Sequence, residues 1–409
     1  MSRREPGGRA LCRAARVVPW AHDPRPRAAP VKARLSGHRL MLVAAAVVAA
    51  VLLAAAVLGV PTPARAHVLL ALGVAPLIFC AMIYFTPVLT RGEAPGIGIV
   101  WIPLAALIAG ALAVLGMSGG VGIPAPWSAA LALLATMALA YWMWTRARRA
   151  LLAAHAGLQW YLLALGAFAL GLLAILAAHR WPGAWAPLRA LHLHLNLVGF
   201  VGLTAVGTLN VLLPTAGQYQ DPTASGRLRR HWPWAAGGSA LIAVGALGYP
   251  LLGAAGVAAW LYPLAVLVAS TLRRPPLWRW HRSALGLAVA LLGWSATLIA
   301  GAVHGFGGWS GEQVLWLAAF GFLLPLITGA VAVLLPVWMD PASTRCRAPA
   351  ERIMSRHTGV RVVAFAGAAA AVVLSAHGVA RAAAALGVAA FAAAAIAAAV
   401  LCLRSPRAR

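Results

Sequence analysis

Two histidines separated by a single leucine, His192 and His194, fall inside the apolar run LHLHLNLVGFVGLTAVGTLNVLLP rather than in the loop before it. An imidazole among hydrocarbon must ligate, pair or hydrogen-bond to be tolerated, so each marks a place where chemistry is expected. Residues two apart on an α-helix are about 200° apart around its axis, so the two rings face opposite ways and cannot grip one ion together. On the His192 side, Arg189, Asn196, Gly199, Leu203 and Asn210 form a stripe of polar and small residues; Thr204, Ala205 and Thr208 accompany His194. His67, at the start of the run AHVLLALGVAPLIFCAMIYFTPVL, is a third imidazole of the same kind. The chemistry such groups supply is ligation of a metal ion or a haem by at least one of His67, His192 and His194. The plainer alternative is an interhelical hydrogen bond contributing about 1 kcal/mol.

The elements that must position these histidines are membrane-spanning helices. Hydrophobic residues make up 62% of 409 and charged residues 10%; the mean hydropathy is +0.85. Those values exclude an ordinary soluble domain. With about 20 apolar residues needed per crossing, twelve spans are predicted, at 38–60, 66–90, 96–117, 126–147, 156–178, 187–214, 232–252, 254–272, 281–303, 313–338, 359–379 and 383–403. The formal charge of +26 would suggest nucleic acid in a soluble protein, but here it follows the positive-inside pattern, and no nucleic-acid partner is expected. With a cytoplasmic N-terminus, 29 Lys and Arg fall on the inner side and only Arg65, Arg180, Arg189 and Arg381 on the outer. Both termini are therefore expected in the cytoplasm of a bacterial-type inner membrane. Residues 1–37, basic and rich in Pro and Ala, are expected to form a disordered tail that touches anionic lipid heads; residues 404–409 form a short cytoplasmic end.

This topology sorts the twelve histidines by side. His22, His38, His155, His231, His281 and His357 lie at the cytoplasmic side, whereas His67, His179, His192, His194, His304 and His377 lie in outer loops or outer helix portions. Cys12, Cys346 and Cys402 fall on the inner side and Cys80 lies mid-helix, so neither a disulfide nor a cysteine metal cluster is expected. The second, sixth and tenth spans can be laid over one another: His67, His194 and Trp316 begin the frame, and Pro87, Pro214 and Pro336 close it twenty residues later. The frames are offset by 127 and 122 residues, which predicts three pseudo-repeated four-helix units at about 38–150, 151–275 and 276–403 within one all-α polytopic domain.

The run HLHLNLVGFVGL resembles the H-x-H-L-x-x-x-G-F pattern of the haem–copper oxidase catalytic-subunit superfamily and of the NnrS-type haem- and copper-containing membrane proteins. The twelve-span plan, the three units and the outer-half histidines extend the resemblance. It implies a haem ligand at His67 and a copper ligand at His192 or His194. The oxidases also carry a histidine pair on the seventh helix and an H-x-H on the tenth; here the seventh reads GGSALIAVGALGY and the tenth has Trp316. Oxygen reduction is therefore not expected. Glu5, Asp23, Glu93, Asp221, Glu312, Asp340 and Glu351 are all predicted in tails or loops, which leaves no acid chain for proton pumping.

The sequence thus points to a divergent, NnrS-like protein that binds haem and/or copper and acts in respiratory, nitric-oxide or metal handling, with respiratory-chain or assembly partners. Two rivals remain. One is a secondary transporter without a metal cofactor, in which Pro76, Pro325 and the glycines supply broken helices. The other is a membrane scaffold or assembly protein using its Ala-rich last helices. Gly305, Gly307, Gly308 and Gly311 have no preceding strand and no following Lys-Ser/Thr, which excludes a phosphate loop. Trp127, Trp181, Trp185 and Trp309 outside, and Trp142, Trp144, Trp232, Trp234, Trp278, Trp280 and Trp338 inside, are read as an interfacial belt.

Overall fold

The computed structural model describes residues 62–118, 125–150, 153–273, 282–339 and 346–404. The predicted basic tail, the first span at 38–60, His38, His281 and the end of the chain beyond 404 lie outside the described residues. Those described form an all-helical structure. In chain order the helices are α1 Pro63–Thr90, α2 Ile97–Met117, α3 Ala125–Arg148, α4 Gly157–Arg180 and α5 Pro182–Ala216. They continue with α6 Ala224–Gly245, α7 Pro250–Leu272 and α8 Arg282–Gly305. The last are α9 Gly311–Met339, α10 Arg347–Arg356, α11 Thr358–Val373 and α12 His377–Arg404.

Nine of these are long and apolar enough to cross a membrane: α1 to α5, α7, α8, α9 and α12. α6 opens with Arg227, Arg229 and Arg230, and α11 is only 16 residues long, so neither meets that test. α10 is amphipathic, burying Ala350 and Met354 while Arg347, Arg352 and Arg356 stay in the polar face. The break between α6 and α7 is sharper than the sequence predicts. Gly248 takes φ +110°, a region that disfavours side chains with a β-carbon, and Pro250 then occupies the first turn of α7, where its missing N–H costs no hydrogen bond.

Three helices are interrupted by π-helical turns. They span Val68–Val74 in α1, Leu195–Gly202 in α5 and Ala318–Leu323 in α9. A π turn takes in an extra residue, widens the helix and re-aims the side chains that follow, and such turns concentrate at functional positions. The first two begin directly after His67 and His194. Around them the core is aromatic: Phe168 and Phe200 stack at 4.3 Å, and Phe79 meets both edge-on at 6.1 Å. Trp160, Trp260 and Trp294 are almost fully buried.

Three expectations are corrected. Cys346 and Cys402 form a disulfide, with Cα atoms 5.3 Å apart; α10 packs against the end of α12 and joins residues 56 apart in sequence, a contact invisible in the spacing. Glu312 lies in the first turn of α9 and Glu351 within α10, so not every carboxylate is in a tail or loop. Trp338 is 3% exposed and packs edge-on against Tyr84, so it belongs to the core, whereas Trp127, Trp181 and Trp234 are exposed as a belt requires.

Candidate functional site

α1 carries His67 at the last residue before its π turn, and α5 carries His192 about one turn ahead of its own. The two rings lie 6.3 Å apart between centroids and within 10° of parallel. That separation is longer than direct ring contact.

Each ring is oriented by a backbone carbonyl. His67 donates from Nδ1 to the Pro63 carbonyl at 2.9 Å, and His192 donates from Nδ1 to the Gly171 carbonyl of α4 at 3.0 Å. A carbonyl only accepts, so the proton sits on Nδ1 and the Nε2 lone pair is left as a donor to an electrophile or metal. This is the outer-sphere arrangement that holds metal-binding histidines in the ligating tautomer. His194 donates from Nδ1 to the Ala190 carbonyl at 2.8 Å, and His304 to the Trp309 carbonyl at 2.6 Å, so the same tautomer recurs there. His194 has no part in the His67–His192 pair; its electrostatic neighbour is His304, at the end of α8. Arg189, exposed and one turn before His192, has its charge within reach of both His67 and His192.

Asn196 completes this cluster. Its Nδ2 is 3.2 Å from Nδ1 and 3.3 Å from Nε2 of His192, and its Oδ1 is buried with no hydrogen-bond partner. Gly171 makes the room: a β-carbon there would stand 2.5 Å from Asn196 Oδ1. The sequence points to Asn196 through the stripe it shares with His192. Gly171, in the run AFALGLLAIL, shows nothing in the sequence to distinguish it from other helix-packing glycines.

Two residues of the predicted stripes stand elsewhere. Thr204 is buried and donates back to the Phe200 carbonyl at 2.7 Å, leading into the Tyr161–Thr208 pair at 2.9 Å. Asn210 lies about 21 Å further along the helix than Asn196, where its Oδ1 accepts from Arg227 Nε at 2.7 Å. Arg227 also donates to Thr223 at 3.2 Å and to Asp221 at 2.9 Å. Burial alone would push the Asp221 carboxyl up, but hydrogen bonds from Thr223 and Arg227 and the Arg227 charge outweigh it and hold the group below its ordinary value. Asn210 thus braces an ion pair at the arginine-rich end of the bundle instead of supporting the histidines.

Among the described residues no three or more His, Cys, Asp or Glu side chains converge as a metal cluster. The donor set is a histidine pair from two helices with an asparagine beside it. No protein-family model matches the chain, and neither does any curated protein.

Proposed function

We propose that the protein is a twelve-span inner-membrane haem- and/or copper-binding protein, similar to the NnrS type, with both termini in the cytoplasm and a role in respiratory, nitric-oxide or metal handling. The observation that carries this reading is the His67–His192 pair: two parallel imidazoles 6.3 Å apart, each fixed by a carbonyl in the tautomer that leaves Nε2 unprotonated. His67 of α1 and His192 of α5 are the residues that would hold a single metal ion or a haem iron between the two helices. Bound there, the metal would supply electron transfer or capture of a small diatomic molecule. The chain's own residues orient the two rings through the Pro63 and Gly171 carbonyls and set the Arg189 charge within reach of the pair.

The three-unit plan gains support from the π turns. They begin at Val68, Leu195 and Ala318, intervals of 127 and 123 residues, against the 127 and 122 read from the sequence frame. A local irregularity repeated to within one residue of the sequence frame is harder to explain by ordinary helix packing than a shared proline. In the third unit Trp316 takes the histidine position of the sequence frame and Leu317 directly precedes the π turn, so that unit contributes scaffold and no histidine ligand. The twelve-span count takes the nine apolar helices together with α6, α11 and the predicted 38–60 span.

A second reading, a secondary transporter, draws on a cavity of about 440 Å³ lined by Asp221, Thr223, Ser270 and Arg273 at the arginine-rich end. An optical spectrum and elemental analysis of the detergent-purified protein, grown with ample haem and copper, separate the two. A Soret band or stoichiometric copper supports the first reading; protein without iron, copper or visible absorbance overturns it.

A further inference from the structure

We infer that Cys346 and Cys402 are a reversible modification site, a dithiol–disulfide pair that exchanges with a small thiol and so holds or releases the N-terminal end of α10. This rests on the orientation proposed above, in which the arginine-rich face is cytoplasmic.

The two sulfurs are bonded across 56 residues with their Cα atoms 5.3 Å apart, inside the ordinary range for a bridge. By the charge pattern both lie on the inner side. Small thiols keep that compartment reducing, and the disulfides found there are transient, catalytic or redox-sensing. A bridge that the fold assembles on that side is therefore one that opens and closes. Its two ends differ. Cys346, 3% exposed, stands at the N-terminal cap of α10; Cys402, two residues before the end of α12, is half-buried. A small thiolate reaches the Cys402 sulfur more readily. Its attack forms a mixed disulfide and breaks the protein S–S bond, and Cys346 leaves as a thiolate at the positive end of the α10 dipole. A second small thiolate attacks the small-molecule sulfur of the mixed disulfide and releases Cys402. The protein gains two electrons and two protons, and two small thiols become one small disulfide. Oxidation by that small disulfide runs the same steps in reverse.

α10 has ten residues, fewer than the about 12–15 that sustain a helix alone, so contacts with its neighbours keep it formed. Its buried anchors are Ala350 and Met354, and Arg361 of α11 donates to the Met354 carbonyl at 2.9 Å. Ahead of them Arg347 is exposed and pairs with Glu351 of the same helix. The covalent tie from this end of α10 to α12 is the Cys346–Cys402 bond. Opening it loosens the first turn of α10 and leaves the part around Met354 docked.

The test uses the full chain in growing cells. Acid quenching, blocking of free thiols with N-ethylmaleimide, reduction and labelling with a polyethylene glycol maleimide count the sulfurs that were bridged, and diamide serves as the oxidant. The bridge is expected to be partial or absent in unstressed cells, complete after diamide, reversed when diamide is removed, and abolished in Cys402→Ser. A pair that stays dithiol under diamide overturns the inference, and so does one fully bridged in unstressed cells. In the second case a membrane-impermeant maleimide is applied to intact cells after reduction: labelling of Cys346 overturns the orientation as well, whereas no labelling overturns the inference alone. In the detergent-purified protein, trypsin cleavage after Arg347 is expected to be at least about threefold faster with the pair reduced than with it bridged. Equal rates overturn the hold on α10, and this wild-type comparison stands even where the serine variant fails to fold.

Discussion

Gly110 of α2 lies hard against Ala71 in the first π turn: a β-carbon on Gly110 would fall on the Ala71 carbonyl and stand 2.9 Å from the Leu72 Cα. The wide turn after His67 is thus wedged from behind by a residue without a side chain. Gly110→Val is expected to lower stability by about 1–3 kcal/mol, the usual cost of overpacking, and to reduce bound metal by displacing His67. Gly166→Ala in α4, where a new β-carbon meets nothing within 4 Å, serves as the control and is expected to be neutral or mildly stabilising. Thermal unfolding in detergent reads the first effect; equal stability in the two variants would show that the wedge is dispensable.

The Asp221–Arg227 pair is buried, with side chains 6% and 7% exposed. Asp221→Ala leaves the Arg227 guanidinium buried without its counter-charge and is expected to cost about 3–5 kcal/mol. The pH dependence has a definite sign. The folded carboxyl titrates below its unfolded value, so its contribution is fully present above about pH 4 and is lost as the pH falls through the lower folded value. Denaturation midpoints compared between pH 7 and pH 3 should fall further in wild type than in Asp221→Ala; parallel declines would remove the pair from the account.

Orientation is set by charge. A reporter fused after Arg149 or Arg230 is expected to read cytoplasmic, and one in the 304–312 loop external, because 29 cationic side chains lie on one predicted side and 4 on the other. An external signal at Arg230 would undo both the span count and the sorting of histidines by side.

His67, His192, His194 and His304 are expected to differ from one another. His67→Ala and His192→Ala should each lose the bound metal or its absorbance while the protein still inserts, since one imidazole contributes little to the insertion of so many apolar helices. His194→Ala should give a distinct, milder defect, because its ring has a separate carbonyl partner. His304→Ala should do least, since its carbonyl partner Trp309 belongs to a glycine-rich loop that holds a ligand at an entropic cost. Identical metal contents in His192→Ala and His194→Ala would contradict the pairing of His67 with His192.

By itself the sequence determined that this is a multi-pass helical membrane protein and which imidazoles stand inside its spans. Those properties follow from local composition: a run of apolar residues needs no distant partner to enter a bilayer, and a histidine within it is conspicuous at once. The opposite facing of His192 and His194 was legible too, from helical rotation alone. Only the tertiary structure decided that His67 is the partner of His192, because 125 residues separate them and a helix carries no mark of which neighbour it will meet. It alone placed Gly171 behind Asn196, took Asn210 away to Arg227, and joined Cys346 to Cys402. The stripe that linked His192 to Asn210 assumed one uninterrupted α-helix. The π turn at Leu195–Gly202 changes the angle between residues before and after it, and helix length carries Asn210 to the other end of the bundle.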